Sequence, residues 1–289
     1  MSRPTSSPVS KLAPKVPEIT ALFWVIKVLT TGMGESASDF LGQQSVPLAG
    51  AIGVFGLWFA LWLQLRQTRY RPPIYWFAVL MVAVFGTMAA DGVHDGASLP
   101  YSVTTAFYAV VVGAIFFFWH RSEGTVDIHC IDTPRRERFY WGAVLATFAL
   151  GTAAGDLTAM PLNLGFFDSA LLFGGIILVP AVAWWKLGLN PVVGFWAAYV
   201  VTRPLGASFA DWFGKPVSQT GLGLGDGTVT GLALIMFIGL VAYTAISRND
   251  IQDGGDPPGP DSGSGGSRER TRLKRPATRP VLRPQPSEG

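Results

Sequence analysis

An all-α membrane protein, with eight transmembrane helices arranged as four parallel two-helix pseudo-repeats, is the fold the sequence predicts. Three observations predict it. Charged residues make up only 14% of the 289, against about 25% in a soluble globular chain, so most of the surface is not built to face water. Apolar stretches long enough to cross about 30 Å of hydrocarbon follow one another between Ile19 and Ser247. A frame of Trp, Gly and Asp recurs in every second stretch.

The predicted spans are Ile19 to Phe40, Val46 to Leu65, Ile74 to Asp91, Pro100 to His120, Phe139 to Met160, Asp168 to Leu187, Pro191 to Trp212 and Asp226 to Ser247. Runs such as Ala109 to Phe118 are apolar on every side, which suits a helix in lipid and not the alternating strand of a β-barrel. The first span is too long for a signal-peptide core and is read as retained. Bases set the direction. Arg3, Lys11 and Lys15 precede span one; Arg66, Arg69 and Arg71 follow span two; Arg121, Arg135, Arg136 and Arg138 follow span four; Lys186 ends span six and Arg248 follows span eight. The opposite loops carry only Lys215, so both termini are expected in the cytoplasm.

The domain division follows: a cytoplasmic segment 1–18, a membrane domain 19–247 and a basic tail 248–289, rich in Pro, Gly, Ser and Arg and expected to be disordered. The net charge of +3 belongs to the tails. The cluster from Arg268 to Arg275 suits anionic lipid headgroups, and nucleic acid is not indicated. The single cysteine, Cys130, excludes an intrachain disulfide.

The odd spans share one frame. Trp24, Trp76, Trp141 and Trp196 are each followed ten residues later by Gly34, Gly86, Gly151 and Gly206, and fifteen later by Asp39, Asp91, Asp156 and Asp211. Chance would fill both slots after roughly one Trp in two hundred, so the frame marks a repeat. The residue before each Asp is small (Ser38, Ala90, Gly155, Ala210), and its spacing of four from the Gly lets helix backbones approach closely in lipid. The odd helices are therefore expected to cluster, with the Trp residues forming an interfacial belt at their cytoplasmic ends.

Four such units, read from Lys15-Val16-Pro17-Glu18-Ile19-Thr20 through Gly34-Glu35-Ser36-Ala37-Ser38-Asp39-Phe40 and its three echoes, resemble an uncharacterised bacterial family of integral, sometimes called membrane-anchored, proteins built from a repeat of unknown function. The likeness covers about residues 16 to 247. It implies the paired-helix topology and a bacterial inner membrane, and it assigns no substrate.

Candidate site residues follow from depth. With the Trp at the cytoplasmic edge, rise per residue puts the Asp level roughly 22 Å in, and the level of Glu35, Thr87, Thr152 and Ala207 about 16 Å in, close to the midplane. Lys27, Thr31, Glu35 and Asp39 follow one another at i+4 and form one polar stripe. Arg203 stands two turns inside Asp211, beside Pro204. Carboxylates in hydrocarbon are costly unless paired, hydrated or protonated. Glu35, Asp39, Asp91, Asp156 and Asp211, with Thr87, Thr152 and the counter-charge Arg203, are thus candidates to bind or conduct a small ion. A purely structural role, each Asp fixing a wetted helix end, is the alternative.

Oxygen-rich ligands suit a proton or a hard or borderline cation. Lys27 and Arg203 leave an anionic solute open, although Lys27 is shallow enough to snorkel. Asp91, His94 and Asp95, at i, i+3 and i+4, form a weaker candidate metal trio. No phosphate-cradling loop with its lysine, no HExxH helix and no Ser, His and Asp set is found, so neither an enzyme nor a cofactor is expected.

Overall fold

A computed structural model describes residues 14–252 of the protein. Residues 1–13 and 253–289, with Arg3, Lys11 and the cluster from Arg268 to Arg275, lie outside the described residues. Helix boundaries follow local chemistry. α1 (Ala21–Gln44) begins where the Thr20 hydroxyl accepts the Phe23 N–H, satisfying an orphan amide of the first turn. It outruns its predicted end at Phe40, and extended Ser45 turns the chain directly into α2 (Val46–Leu65). α3 (Pro72–Gly96) opens on two prolines, and α4 (Tyr101–Glu123) stops at Gly124, whose left-handed φ of 72° glycine adopts without strain.

α5 (Pro134–Ala159) starts ahead of the predicted Phe139, because Thr133 caps it and Pro134 occupies its first turn. α6 (Gly165–Leu187) is two helical segments meeting at Ile177; Pro180 has no N–H to offer the Ile176 carbonyl, so the ladder breaks there. α7 (Pro191–Gly214) is capped by Asn190, and α8 (Asp226–Ser247) completes the set.

Counting the broken α6 once, the described residues thus form an all-α bundle of eight helices arranged as repeat units. Six are long and apolar enough to cross a membrane: α2, α3, α4, α5, α6 and α8. α1 and α7 are not among them, which revises the expectation of eight alike. These two carry Lys27, Glu35 and Asp39, and Arg203 and Asp211, on faces turned into the protein. Their polarity is spent inside the bundle.

α1 packs on α3, α3 on α5, α5 on α7, and α7 back on α1. The odd helices therefore form a closed ring. α2 lies chiefly on α3, α4 on α5, α6 on α7 and α8 on α1, so each return helix covers the next unit and the last covers the first. This outer shell exposes Phe55, Trp58, Val110, Phe117, Trp185 and Ile235, a surface suited to hydrocarbon.

The repeated glycine explains how closely the ring closes. A Cβ on Gly34 would meet Ala83, on Gly86 the Cβ of Phe148, on Gly151 the Arg203 side chain, and on Gly206 the Thr31 hydroxyl and Val28 carbonyl. Each glycine thus receives the residue seven after the Trp of the next unit, and the fourth receives that of the first. Backbone-to-side-chain contact at this range requires the missing Cβ.

The Trp residues do not form a lipid-facing belt. Trp76, Trp141 and Trp196 are buried and Trp24 partly so, joined by Phe23, Tyr75, Tyr140 and Phe195, the residue before each Trp. Their rings pack edge to face, as Tyr75 on Trp76 and Tyr140 on Trp141, the arrangement that aromatic quadrupoles favour in a packed interior.

The nearest parts of both tails close this end. Lys15 pairs with Glu137 at 2.6 Å, and Glu137 also accepts from Gln64. The Glu18 N–H donates to the Asp250 carbonyl, Gln252 to that of Pro17, and the Tyr70 hydroxyl to the Asp250 carboxylate at 2.6 Å. Residues 14–18 and 248–252 therefore belong to the folded body. Burial pushes both the Tyr70 hydroxyl and the Asp250 carboxyl above their ordinary values, the Tyr70 bond partly opposing the rise at Asp250. Tyr70→Phe is expected to cost about 1.5–3 kcal/mol, the value of a hydrogen bond to a charged group; an unchanged thermal transition in detergent would count against the closure.

Candidate functional site

Along the ring the repeat frame becomes a stack of layers, each one helical turn of about 6 Å from the next. Three residues beyond the Trp lie Lys27, Val79, Val144 and Tyr199; seven beyond, Thr31, Ala83, Phe148 and Arg203; eleven beyond, Glu35, Thr87, Thr152 and Ala207. All twelve are buried. Glu35, Thr87 and Thr152, assigned to one depth by the frame, meet the counter-charge Arg203 of the neighbouring layer.

Arg203 is 0% exposed. Its Nη2 donates to Glu35 Oε2 and Thr152 Oγ1, each at 2.7 Å, and to Thr87 Oγ1; its Nη1 donates to the Thr31 carbonyl at 2.6 Å and its Nε to that of Phe148 at 3.4 Å. The Thr87 and Thr152 hydroxyls in turn donate to Glu35 Oε2, at 3.1 and 3.2 Å. Each hydroxyl can accept from the guanidinium and donate to the carboxylate, which satisfies both charges. Ala207, the fourth member of the layer, is small and leaves the space Arg203 fills from one turn away.

The Asp layer lies next. One carboxylate oxygen from each of Glu35, Asp39 and Asp211 falls within 4.8 Å of the others, the group among the described residues placed to hold a metal ion. All three ligands are carboxylate oxygens, the donor type that hard cations take. Asp211 Oδ1 is buried and has no hydrogen-bond partner among the described residues. Asp39 also lines a cavity of about 760 Å³ between α1, α2 and α3, together with Asp91, Asp95 and Lys215. Asp156 does not line it but lies within electrostatic reach of Glu35, Asp39 and Lys215.

Lys215 joins the acidic groups. Its ammonium sits 2.5 Å from Asp39 Oδ2, 4.0 Å from Asp211 Oδ1 and 3.9 Å from Asp226 Oδ2, while Gln43 donates to Asp226 at 2.6 Å. Burial pulls this lysine down, but the carboxylates of Asp39, Asp211 and Asp226 outweigh burial and hold it above the ordinary lysine value. It therefore stays a cation. Its part in the cluster, and those of Asp226 and Gln43, are not evident from the repeat frame; the i,i+4 spacing of Asp211 and Lys215 is the signal that was there to read.

Two expectations change. Lys27 does not snorkel: it is 1% exposed, with its ammonium over the rings of Phe148 at 4.0 Å and Tyr199 at 4.2 Å, because the closed ring leaves α1 no path to the interface. Asp91, His94 and Asp95 are not in the group whose ligand atoms converge among the described residues. The His94 Nδ1 bonds the Leu99 carbonyl at 2.6 Å, its ring stacks on Tyr101, and its Nε2 stands 3.8 Å from Asp95. The imidazole is held by the turn that ends α3.

A ring of repeated helix pairs closed around a buried carboxylate cluster is the class of protein that this fold and site define. Residues 22–70, 74–125, 139–188 and 194–250 match the family described as Repeat of Unknown Function (DUF347), and the chain belongs to that family. Each match of about fifty residues coincides with one helix pair. Neither a curated protein nor a solved structure gives a match.

Proposed function

We propose that the protein spans a bacterial inner membrane eight times, both termini cytoplasmic, and works as a secondary transporter or exporter of a small cation. α1 and α7 cross inside the shell made by the apolar helices. Glu35, Asp39 and Asp211 bind the ion, Asp91 and Asp156 supply the negative approach to them, and Arg203 holds Glu35 between ions. No catalytic role is assigned to any residue.

The convergence of Glu35, Asp39 and Asp211 within 4.8 Å, next to a cavity shared by Asp39 and Asp91, carries this reading. The cations Arg203 and Lys215 are outnumbered by the carboxyl groups around them, so the cluster gains by taking up positive charge. The Asp211 oxygen that lacks a hydrogen bond, with only the Lys215 ammonium near it at 4.0 Å among the described residues, marks where that charge is wanted.

Full satisfaction of the Glu35–Arg203 pair favours a second reading, a non-transporting scaffold or sensor whose polar core serves assembly. One experiment separates the two. Asp39, Asp91, Asp156 and Asp211 are replaced singly by Asn and cation flux is measured in reconstituted vesicles. Transport predicts at least about a tenfold loss for Asp39→Asn and Asp211→Asn, equivalent to one ion contact of about 1.4 kcal/mol, with folded yield retained. Unchanged flux in all four variants, or loss of folded yield without ion dependence, removes the transporter.

A further inference from the structure

The Trp-side half of the ring holds a charge that the cation site does not use. Among the described residues Lys27 Nζ has no hydrogen-bond partner; it lies over the faces of Phe148 and Tyr199. The Phe148 ring also carries the Arg203 guanidinium, 5.1 Å from its centroid. The charged or titratable groups facing Lys27 are therefore Arg203 and Tyr199 from α7; from α5 and α3 come Phe148, Val144 and Val79, with the Tyr75–Tyr140 hydroxyl pair, 2.6 Å apart, one layer nearer the Trp end. Tyr199 Oη is likewise buried, within electrostatic reach of the Tyr140 hydroxyl.

We propose that Lys27 carries the proton exchanged for the cation, so that the protein is a cation–proton antiporter; this rests on the cation site described above. An ion at Glu35, Asp39 and Asp211 competes with Arg203 for the Glu35 carboxylate. The guanidinium cannot lose its proton, and its charge, less compensated, repels the ammonium that shares Phe148 with it. Lys27 is the group able to yield. Its ammonium becomes an amine and one proton leaves toward Tyr199 and the Tyr75–Tyr140 pair, with no hydrogen bond broken at Nζ. Ring faces hold a cation but offer a neutral amine little, which makes the cage a charge-sensitive seat.

Mn²⁺ serves as the probe. The full-length protein in detergent is titrated with Mn²⁺ calorimetrically in two buffers of different ionisation enthalpy, which counts protons released per ion. Wild type is expected to release protons on binding. Lys27→Met is expected to bind Mn²⁺ and release about one proton fewer per ion; Lys27→Arg, permanently charged, is expected to release fewer as well and to bind at least about tenfold more weakly. An undiminished proton count in a folded Lys27 variant that still binds overturns the proton carrier and leaves the cation site standing. Absence of Mn²⁺ binding to wild type overturns both. Should Lys27→Met not fold, the count for Lys27→Arg decides.

Discussion

Arg203→Leu is expected to destabilise the protein by about 3–5 kcal/mol, the cost of stranding one member of a buried ion pair. Glu35 would keep only the Thr87 and Thr152 hydroxyls, and the carbonyls of Thr31 and Phe148 would lose their donor. The pair itself is a different quantity. Charges taken out of water repay little of their desolvation, so the double variant Glu35→Leu/Arg203→Leu is expected to recover most of the loss. Thermal unfolding in detergent, followed by helical circular dichroism, measures both. A single variant as stable as wild type, or a double variant no better than the single, would show that the pair does not hold the ring together.

Gly206→Ala is expected to cost about 1–3 kcal/mol, the penalty for overpacking a filled interface. The added methyl would land on the Thr31 hydroxyl and 2.9 Å from the Val28 carbonyl, and the carbonyl, being backbone, cannot turn aside. Gly142→Ala is the control, because nothing lies within 4 Å of a Cβ there. At an open helical site the exchange removes glycine's entropic disadvantage, so that variant is expected to gain about 0.5–1 kcal/mol. Opposite signs for the same chemical change would establish the closed contact between the fourth unit and the first. Equal effects would mean that α7 and α1 do not meet at this range.

Much of the site was legible because the repeat imposes one geometry on four helices. Residues at the same offset from each Trp must stand at the same height, so Glu35, Thr87 and Thr152 could be assigned to one layer before any fold was known. The aromatic residue before each Trp was equally readable, and it marks the layer that fills the Trp end. Less legible was anything set by partners outside the frame. Lys215 and Asp226 lie on either side of a glycine-rich loop, and only the loop's return, with Gly225 N–H donating to the Gly214 carbonyl, brings Asp226 near Asp211. The shortfall in hydropathy of α1 and α7 comes from the charged residues within them, Lys27, Glu35 and Asp39 in one and Arg203 and Asp211 in the other; the equally covered ring helices α3 and α5 still qualify.

The sequence by itself determined the helix pairs, their repetition and the relative height of the polar residues within the repeat frame, since period, rise and hydropathy are local properties of the chain. Tertiary structure alone decided that the four units close on themselves, that Arg203 of the last reaches Glu35 of the first, and that Lys27 is sealed between two rings instead of reaching the surface. Those outcomes depend on which faces meet across more than 150 residues of chain, as the span from Glu35 to Arg203 shows. That choice is made by the fit of glycine to side chain around the whole ring.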